Sequence, residues 1–174
     1  MMSNVLDMAV FPGTQGGPLE HIIAAKAISF GEILTDEFTA YAKQIIQNAQ
    51  AMSNVFIEKG YNIVSNGTDN HLLLIDLRNK NISGKKAEAV LGKADITVNK
   101  NMVPFDDKSA FVTSGIRLGV PAITTRGMRE EHMRFVVDSL DSALMHADDE
   151  GCLGSIRKRV NEFMQQFPLY PELG

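Results

Sequence analysis

The stretch Y61-N-I-V-S-N-G-T-D-N-H-L-L-L-I-D-L77 is where this chain changes period. Upstream, apolar residues recur at helical spacing. Within the stretch, Tyr61–Ser65 and Leu72–Leu77 are short, apolar runs bounded by turn formers, which is the pattern of strands. N66-G-T-D-N70 between them is made of residues that tolerate left-handed backbone or bond their own main chain. The pair therefore reads as a wide antiparallel hairpin. Strands paired in this way, with helices clustered before and after them, predict an α+β fold rather than a doubly wound parallel sheet.

Working outward, the best-marked helix precedes the hairpin. Thr35-Asp36 caps it, Phe38, Tyr41, Ile45, Ala49, Met52, Val55 and Phe56 form its apolar face, and Gly60 closes it. An earlier helix is expected from Pro18, a good first helical residue, with Leu19, Ile22, Ile23, Ala27, Phe30, Ile33 and Leu34 at helical spacing. Downstream, Ser83 caps a short helix that Gly92 closes. Ile96–Val98 and Gly115–Leu118 read as two further strands, joined irregularly through N99-K-N-M-V-P-F-D-D-K-S109. Helices over about Arg129–His146 and Leu153–Gln166 follow. The first 35 residues hold a long helix with no strand to cover, so a boundary is expected near Thr35: residues 1–35 as one segment and 36–174 as a small α+β domain.

Composition sets limits on function. A chain of 174 residues with 44% hydrophobic and 22% charged residues is an ordinary globule, large enough to bury a core without staples. A formal net charge of −4 leaves no basic footprint for nucleic acid. Cys152 is the single cysteine, so intrachain disulfides and thiolate metal cages are excluded and a reducing, cytoplasmic setting is expected. The start, M1-M-S-N-V-L-D-M-A-V-F11, lacks a basic region and carries Asp7, unlike a signal peptide or a membrane span. The doubled Met1-Met2 is what a chain beginning inside a longer gene would show.

Three stretches carry candidate chemistry. In T14-Q-G-G-P-L-E-H21, Gly16 and Gly17 abut a helix start, where free backbone N–H groups and the helix dipole favour an anion. A plain turn with a glycine at positive φ accounts for the same residues. In T113-S-G-I-R-L-G-V-P121, Arg117 lies inside an apolar strand between Gly115 and Gly119, which lets another backbone or a ligand approach closely. A buried guanidinium must be paired, either to a ligand carboxylate in bidentate geometry or to an acidic side chain of this chain. N99-K-N-M-V-P with Ser109 offers polar groups for a heterocycle, or a solvated turn. His71 has no metal partner at ligand spacing, and the pairs Glu130-Glu131 and Asp148-Asp149 read as helix ends and faces. No nucleophile–base pair stands out; the residues offer anchors, not catalysts.

Taken in order, A9-V-F-P-G-T-Q-G-G-P-L-E-H21, S65-N-G-T-D-N-H-L72, T97-V-N-K-N101, F111-V-T-S-G-I-R117 and P121-A-I-T-T-R-G127 resemble serine hydroxymethyltransferase, colinearly and over nearly the whole chain. The match is to the C-terminal portion of that family's subunit, a fold-type I enzyme dependent on pyridoxal phosphate. The resemblance implies the end of the large domain over residues 1–35 and the small C-terminal domain over 36–174. It implies interconversion of serine and glycine with one-carbon transfer to tetrahydrofolate, in a homodimer. Arg117 then matches the arginine that binds the amino-acid carboxylate. Gly16 and Gly17 match the loop that reaches the cofactor phosphate of the neighbouring subunit, and Asn101, Ser109 and Phe111 fall in the folate region. Val120 replaces a common threonine, and Asp107-Lys108-Ser109-Ala110 replaces a proline-bearing version.

What the resemblance does not find here matters equally. The family's Schiff-base lysine sits in a T-x-H-K-T-like segment upstream, as do the acid that pairs with the pyridinium nitrogen and the ring-stacking aromatic. None of the ten lysines of this chain follows a histidine, and a carbanion next to an imine needs that electron sink. Lys26 and Lys100 are poor substitutes. The expectation is a fragment without catalytic residues of its own and inactive alone; the alternatives are a stand-alone amino-acid-binding module and a structural or oligomerising domain.

Overall fold

A computed structural model describes residues 2–170; Met1 of the doubled start lies outside them. The chain divides into two compact units, Met1–Thr39 and Ala40–Gly174.

In the first unit, α1 (Met2–Met8) runs into a π-helical turn, Ala9–Thr14, broken at Phe11 by an extended backbone (φ −134°, ψ 121°). This helical start was not expected from the residue pattern. The second helix, α2 (Glu20–Ile33), begins later than expected: Leu19, not Pro18, is its cap, and the Leu19 carbonyl accepts from Ile22 N–H at 3.0 Å and Ile23 N–H at 3.1 Å. Pro18 thus sits outside the helix. No residue of α2 is buried, and its large side chains stand open on more than one side, with Ile23 55%, Ile28 66% and Phe30 64% exposed.

The next helix, α3 (Asp36–Glu58), starts as its cap predicts, with Thr35 Oγ1 accepting from Phe38 N–H at 3.2 Å. It ends in a Schellman turn: Tyr61 N–H reaches Phe56 C=O at 3.0 Å, Gly60 N–H reaches Ile57 C=O at 2.9 Å, and Gly60 takes φ 73°. In between, Ala49, Met52, Val55 and Phe56 are buried.

The change of period at Tyr61 produces the expected hairpin, with a shorter first strand. β1 (Asn62–Ile63) pairs antiparallel with β2 (Leu72–Asp76), Ile63 opposite Ile75. The fourth strand, β4 (Gly115–Gly119), lies antiparallel on β2, and β3 (Asn99–Asn101) lies antiparallel on β4, giving the order β1-β2-β4-β3. The architecture is α+β with a small antiparallel sheet, as the hairpin foretold. One strand is displaced from its expected place. Ile96–Val98 is not paired; Ile96 N–H closes the preceding helix on Leu91 C=O at 3.0 Å, and the ladder begins at Asn99. The polar residues Asn99–Asn101 form the strand because tertiary pairing overrides their weak propensity.

Four further helices pack the second unit: α4 (Gly84–Lys93), α5 (Pro121–Thr125), α6 (Glu130–Met145) and α7 (Glu150–Met164). Ser83 Oγ caps α4 through Lys86 N–H at 3.2 Å. Gly92 lies inside α4 rather than ending it; the left-handed residue after the helix is Asp95, φ 57°. α5 was not anticipated. α7 starts earlier than expected because Asp149 caps it, accepting from Cys152 N–H at 2.9 Å. One sheet face supplies Leu73, Ile75, Ile116 and Leu118 to the core, against Met52, Phe56, Leu91, Met133, Val137 and Leu140 from the helices. Each such side chain contributes roughly 1.5–3 kcal/mol on burial. Among the described residues no helix is long and apolar enough to cross a membrane.

Candidate active-site face

Strand period sorts the side chains of the sheet. In β4, Ile116 and Leu118 point to the core, so Gly115, Arg117 and Gly119 belong to the opposite face. Register brings Leu74 of β2 and Asn99 of β3 directly beside Arg117 on that face, and Asp76 and Asn101 beside Gly115. Arg117 and Asn101 are thereby diagonal neighbours, about 7–8 Å apart by sheet geometry.

Arg117 is exposed, which corrects the expectation of a buried guanidinium. Alternation explains it: an arginine between two core residues must point the other way. It makes no hydrogen bond or ion pair with any described residue, so the intrachain ion pair that might have explained it is not formed. Asp76, the acid nearest along the register, is already engaged by Arg78, with Nε at 3.1 Å from Oδ1 and Nη2 at 2.6 Å from Oδ2. The side-chain hydrogen bond from Arg78 holds the Asp76 carboxyl below its ordinary range. The face thus carries one neutralised pair and one uncommitted cation.

The flanking glycines serve the chain's own backbone. A Cβ on Gly115 would stand 2.6 Å from both Ile75 O and Val103 Cγ1, and one on Gly119 would stand 3.2 Å from His71 O. Of the two approaches that the sequence allowed, another backbone or a ligand, the first accounts for both residues. Gly84 at the start of α4 is tighter still, against the Thr113 hydroxyl and the Gly115 carbonyl.

Asn101 donates its side-chain amide to Met102 C=O at 2.7 Å. Ser109 and Phe111 stand on the loop that leads into β4. Ser109 is exposed and its carbonyl accepts from Val112 and Thr113 N–H, each at 2.9 Å; Phe111 is 83% exposed. No hydrogen bond joins either to Arg117. Gly16 and Gly17 belong to the first unit. Neither takes positive φ, so no left-handed backbone calls for glycine there, and a Cβ on either would meet nothing within 4 Å. Their amides bond to no described group, as an anion loop requires. Glu20 in the first turn of α2 already places one negative charge there.

Sequence reasoning missed the residue that organises the 102–114 loop. Asp106 accepts from Val103 N–H at 3.1 Å, Lys108 N–H at 3.0 Å, Ser114 N–H at 2.9 Å and Ser114 Oγ–H at 2.7 Å. Burial alone pushes its carboxyl upward; these bonds outweigh burial and hold it well below the usual carboxylate range. The signal was present in F105-D-D-K108, an Asx-turn pattern in which an aspartate bonds the amide two residues on. Glu88 was missed too: it accepts from Lys100 N–H at 2.9 Å and Lys100 Nζ at 3.2 Å, fixing β3 to α4.

The model of one protein family, serine hydroxymethyltransferase, matches residues 1–140. That span contains Gly16, Gly17, the loop organised by Asp106, and the open sheet face with Arg117. On a match covering most of its length, the chain belongs to the serine hydroxymethyltransferase family.

Proposed function

We propose that this chain supplies the substrate-side anchors of a serine hydroxymethyltransferase: the interconversion of serine and glycine, with the one-carbon unit passed to tetrahydrofolate. The observation that carries the reading is Arg117, an exposed guanidinium with no partner among the described residues, set mid-strand beside an acid that is already neutralised. Its planar fork suits a carboxylate held in two parallel bonds, so Arg117 orients the amino acid. Asn101, diagonal to it, with Ser109 and Phe111 on the neighbouring loop, offers amide, hydroxyl and aromatic surface to folate.

Pyridoxal phosphate, the family's electron sink, finds only part of its donor set here. The unengaged amides of Gly16 and Gly17 fit a phosphate, and in the family they do so for the partner subunit of a homodimer. The covalent anchor is another matter. Lys100 lies opposite Ile116 in the register, on the face away from Arg117, and its ammonium is taken by Glu88 at 3.2 Å. A lysine so placed cannot hold a cofactor over a substrate on Arg117. On this reading the chain does not hold the cofactor by itself, and turnover draws its Schiff-base lysine from outside these residues. The segment 1–35 is proposed to belong to the large domain, 36–174 to form the small domain, and the setting to be cytoplasmic.

The test adds pyridoxal phosphate and glycine to the chain, reduces with borohydride and maps adducts by mass spectrometry. No lysine-specific adduct is expected, nor saturable glycine binding. A specific adduct at Lys100 or Lys26 would overturn the proposed inactivity. Tight glycine binding by the chain alone would instead support a stand-alone amino-acid-binding module.

A further inference from the structure

The core side of the sheet, away from Arg117, holds a cavity of about 550 Å³ within the second unit. Its wall is mainly apolar, with Ile96, Ile123, Phe135, Val136 and Phe163 among the side chains that line it. This volume falls within the span of about 300–1,000 Å³ typical of small-molecule sites, whereas packed interiors leave few voids larger than a water molecule. Exposed Ala122 is part of the lining, so the cavity reaches the surface.

One charge in that wall has no counter-ion. Arg126 donates Nε–H to Phe167 C=O at 2.7 Å and Nη2–H to Met164 C=O at 3.3 Å. A guanidinium has about five N–H donors, so donors remain, and no described carboxylate lies within ion-pair distance of it. Asp95, also in the lining, is committed to Arg157 at 2.7 Å and to Asn161 at 2.9 Å. Arg126 is half-buried; a partly desolvated cation beside apolar surface is stabilised by a counter-ion, and an anion with an apolar body satisfies both surfaces at once. We propose that this cavity binds an amphipathic anion, an unbranched alkyl carboxylate, with its head on Arg126 and its chain among Ile123, Phe135, Val136 and Phe163. This site is separate from the Arg117 face and does not rest on the function proposed for that face.

The methionines report on it directly. Met52, Met128 and Met164 line the cavity, while Met8 and Met145 are exposed and do not line it. With methyl-¹³C methionine in the full chain, decanoate is expected to shift the first three signals saturably and to leave Met8 and Met145 in place. Arg126→Gln should weaken decanoate at least about tenfold, the worth of one charge-assisted hydrogen bond, and leave decanol unchanged; Arg126→Lys should retain part of the preference for decanoate. Absence of saturable shifts at Met52, Met128 and Met164 in the unmodified chain overturns the proposal without any variant. So does a response confined to Met8, or equal weakening of decanoate and decanol by Arg126→Gln.

Discussion

Replacing Asp106 should unravel the loop that carries Ser109 and Phe111 without touching the core beneath it. Its carboxylate accepts four hydrogen bonds, and two of the donors are on Ser114, which is fully buried, while a third is on buried Val103. A hydrogen bond to a charged group is worth about 1.5–3 kcal/mol. Asp106 itself is half-buried, so water replaces part of what is lost and the sum must be discounted. Asp106→Ala should then cost about 3 kcal/mol, a fall in Tm on the order of 6–12 °C for a chain of this size. Asp106→Asn, which keeps an acceptor but no charge, should cost about 1–2 kcal/mol. The pH dependence has a definite sign. The folded carboxyl lies below the unfolded value of about 3.9, so the charge-dependent stabilisation is complete above that pH. As pH falls through it, the unfolded chain takes up the proton first and the contribution fades. Urea unfolding followed by circular dichroism should therefore show a constant gap between the parent chain and Asp106→Asn from about pH 7 to 5, narrowing by about pH 3.5. A gap unchanged across this range, or an Asp106→Ala loss below about 0.5 kcal/mol, would refute the reasoning.

Two substitutions probe the frame behind the site, and a third serves as a control. Asn48 is completely buried, donating to Thr124 Oγ1 and Met128 C=O, each at 2.9 Å, and accepting from Gln44 at 3.0 Å; Asn48→Ala should cost about 2–4 kcal/mol by stranding those groups, read from the urea midpoint, with a loss under about 1 kcal/mol counting against that role. Gly84→Ala should destabilise by about 1–3 kcal/mol or more because its methyl meets the Thr113 side chain and the Gly115 carbonyl, whereas Gly16→Ala, with open space around it, should leave Tm within about 2 °C.

What the sequence disclosed, and what it withheld, divides along physical lines. Where a local rule and tertiary packing agree, the element was legible: α3 with its Thr35 cap and Gly60 stop, the antiparallel pairing of β1 and β2, and the apolar stripe of α6. Where pairing overrides propensity it was not. Asn99–Asn101 is polar yet forms a strand because β4 offers its ladder there, and apolar Ile96 closes a helix instead. Arg117 was singled out as a candidate anchor from its place among apolar residues, but its exposure follows from alternation between Ile116 and Leu118, which the same residues already encoded. Asp106 and Glu88 stayed hidden because most of their partners are backbone amides; those of Val103, Lys108 and Ser114 come together only when the loop closes, and that of Lys100 only when β3 docks on α4.

The central claim is that Arg117 is the carboxylate anchor. Its most direct test joins this chain to the lysine-bearing part of a serine hydroxymethyltransferase subunit and measures glycine affinity with Arg117→Lys. An exposed side chain with no partner among the described residues makes stability insensitive to the change, within about 0.5 kcal/mol. Loss of a bidentate contact should raise the glycine Kd by at least about tenfold. An unchanged glycine Kd would contradict the account, and so would a weakened affinity that merely tracks a loss of folding stability.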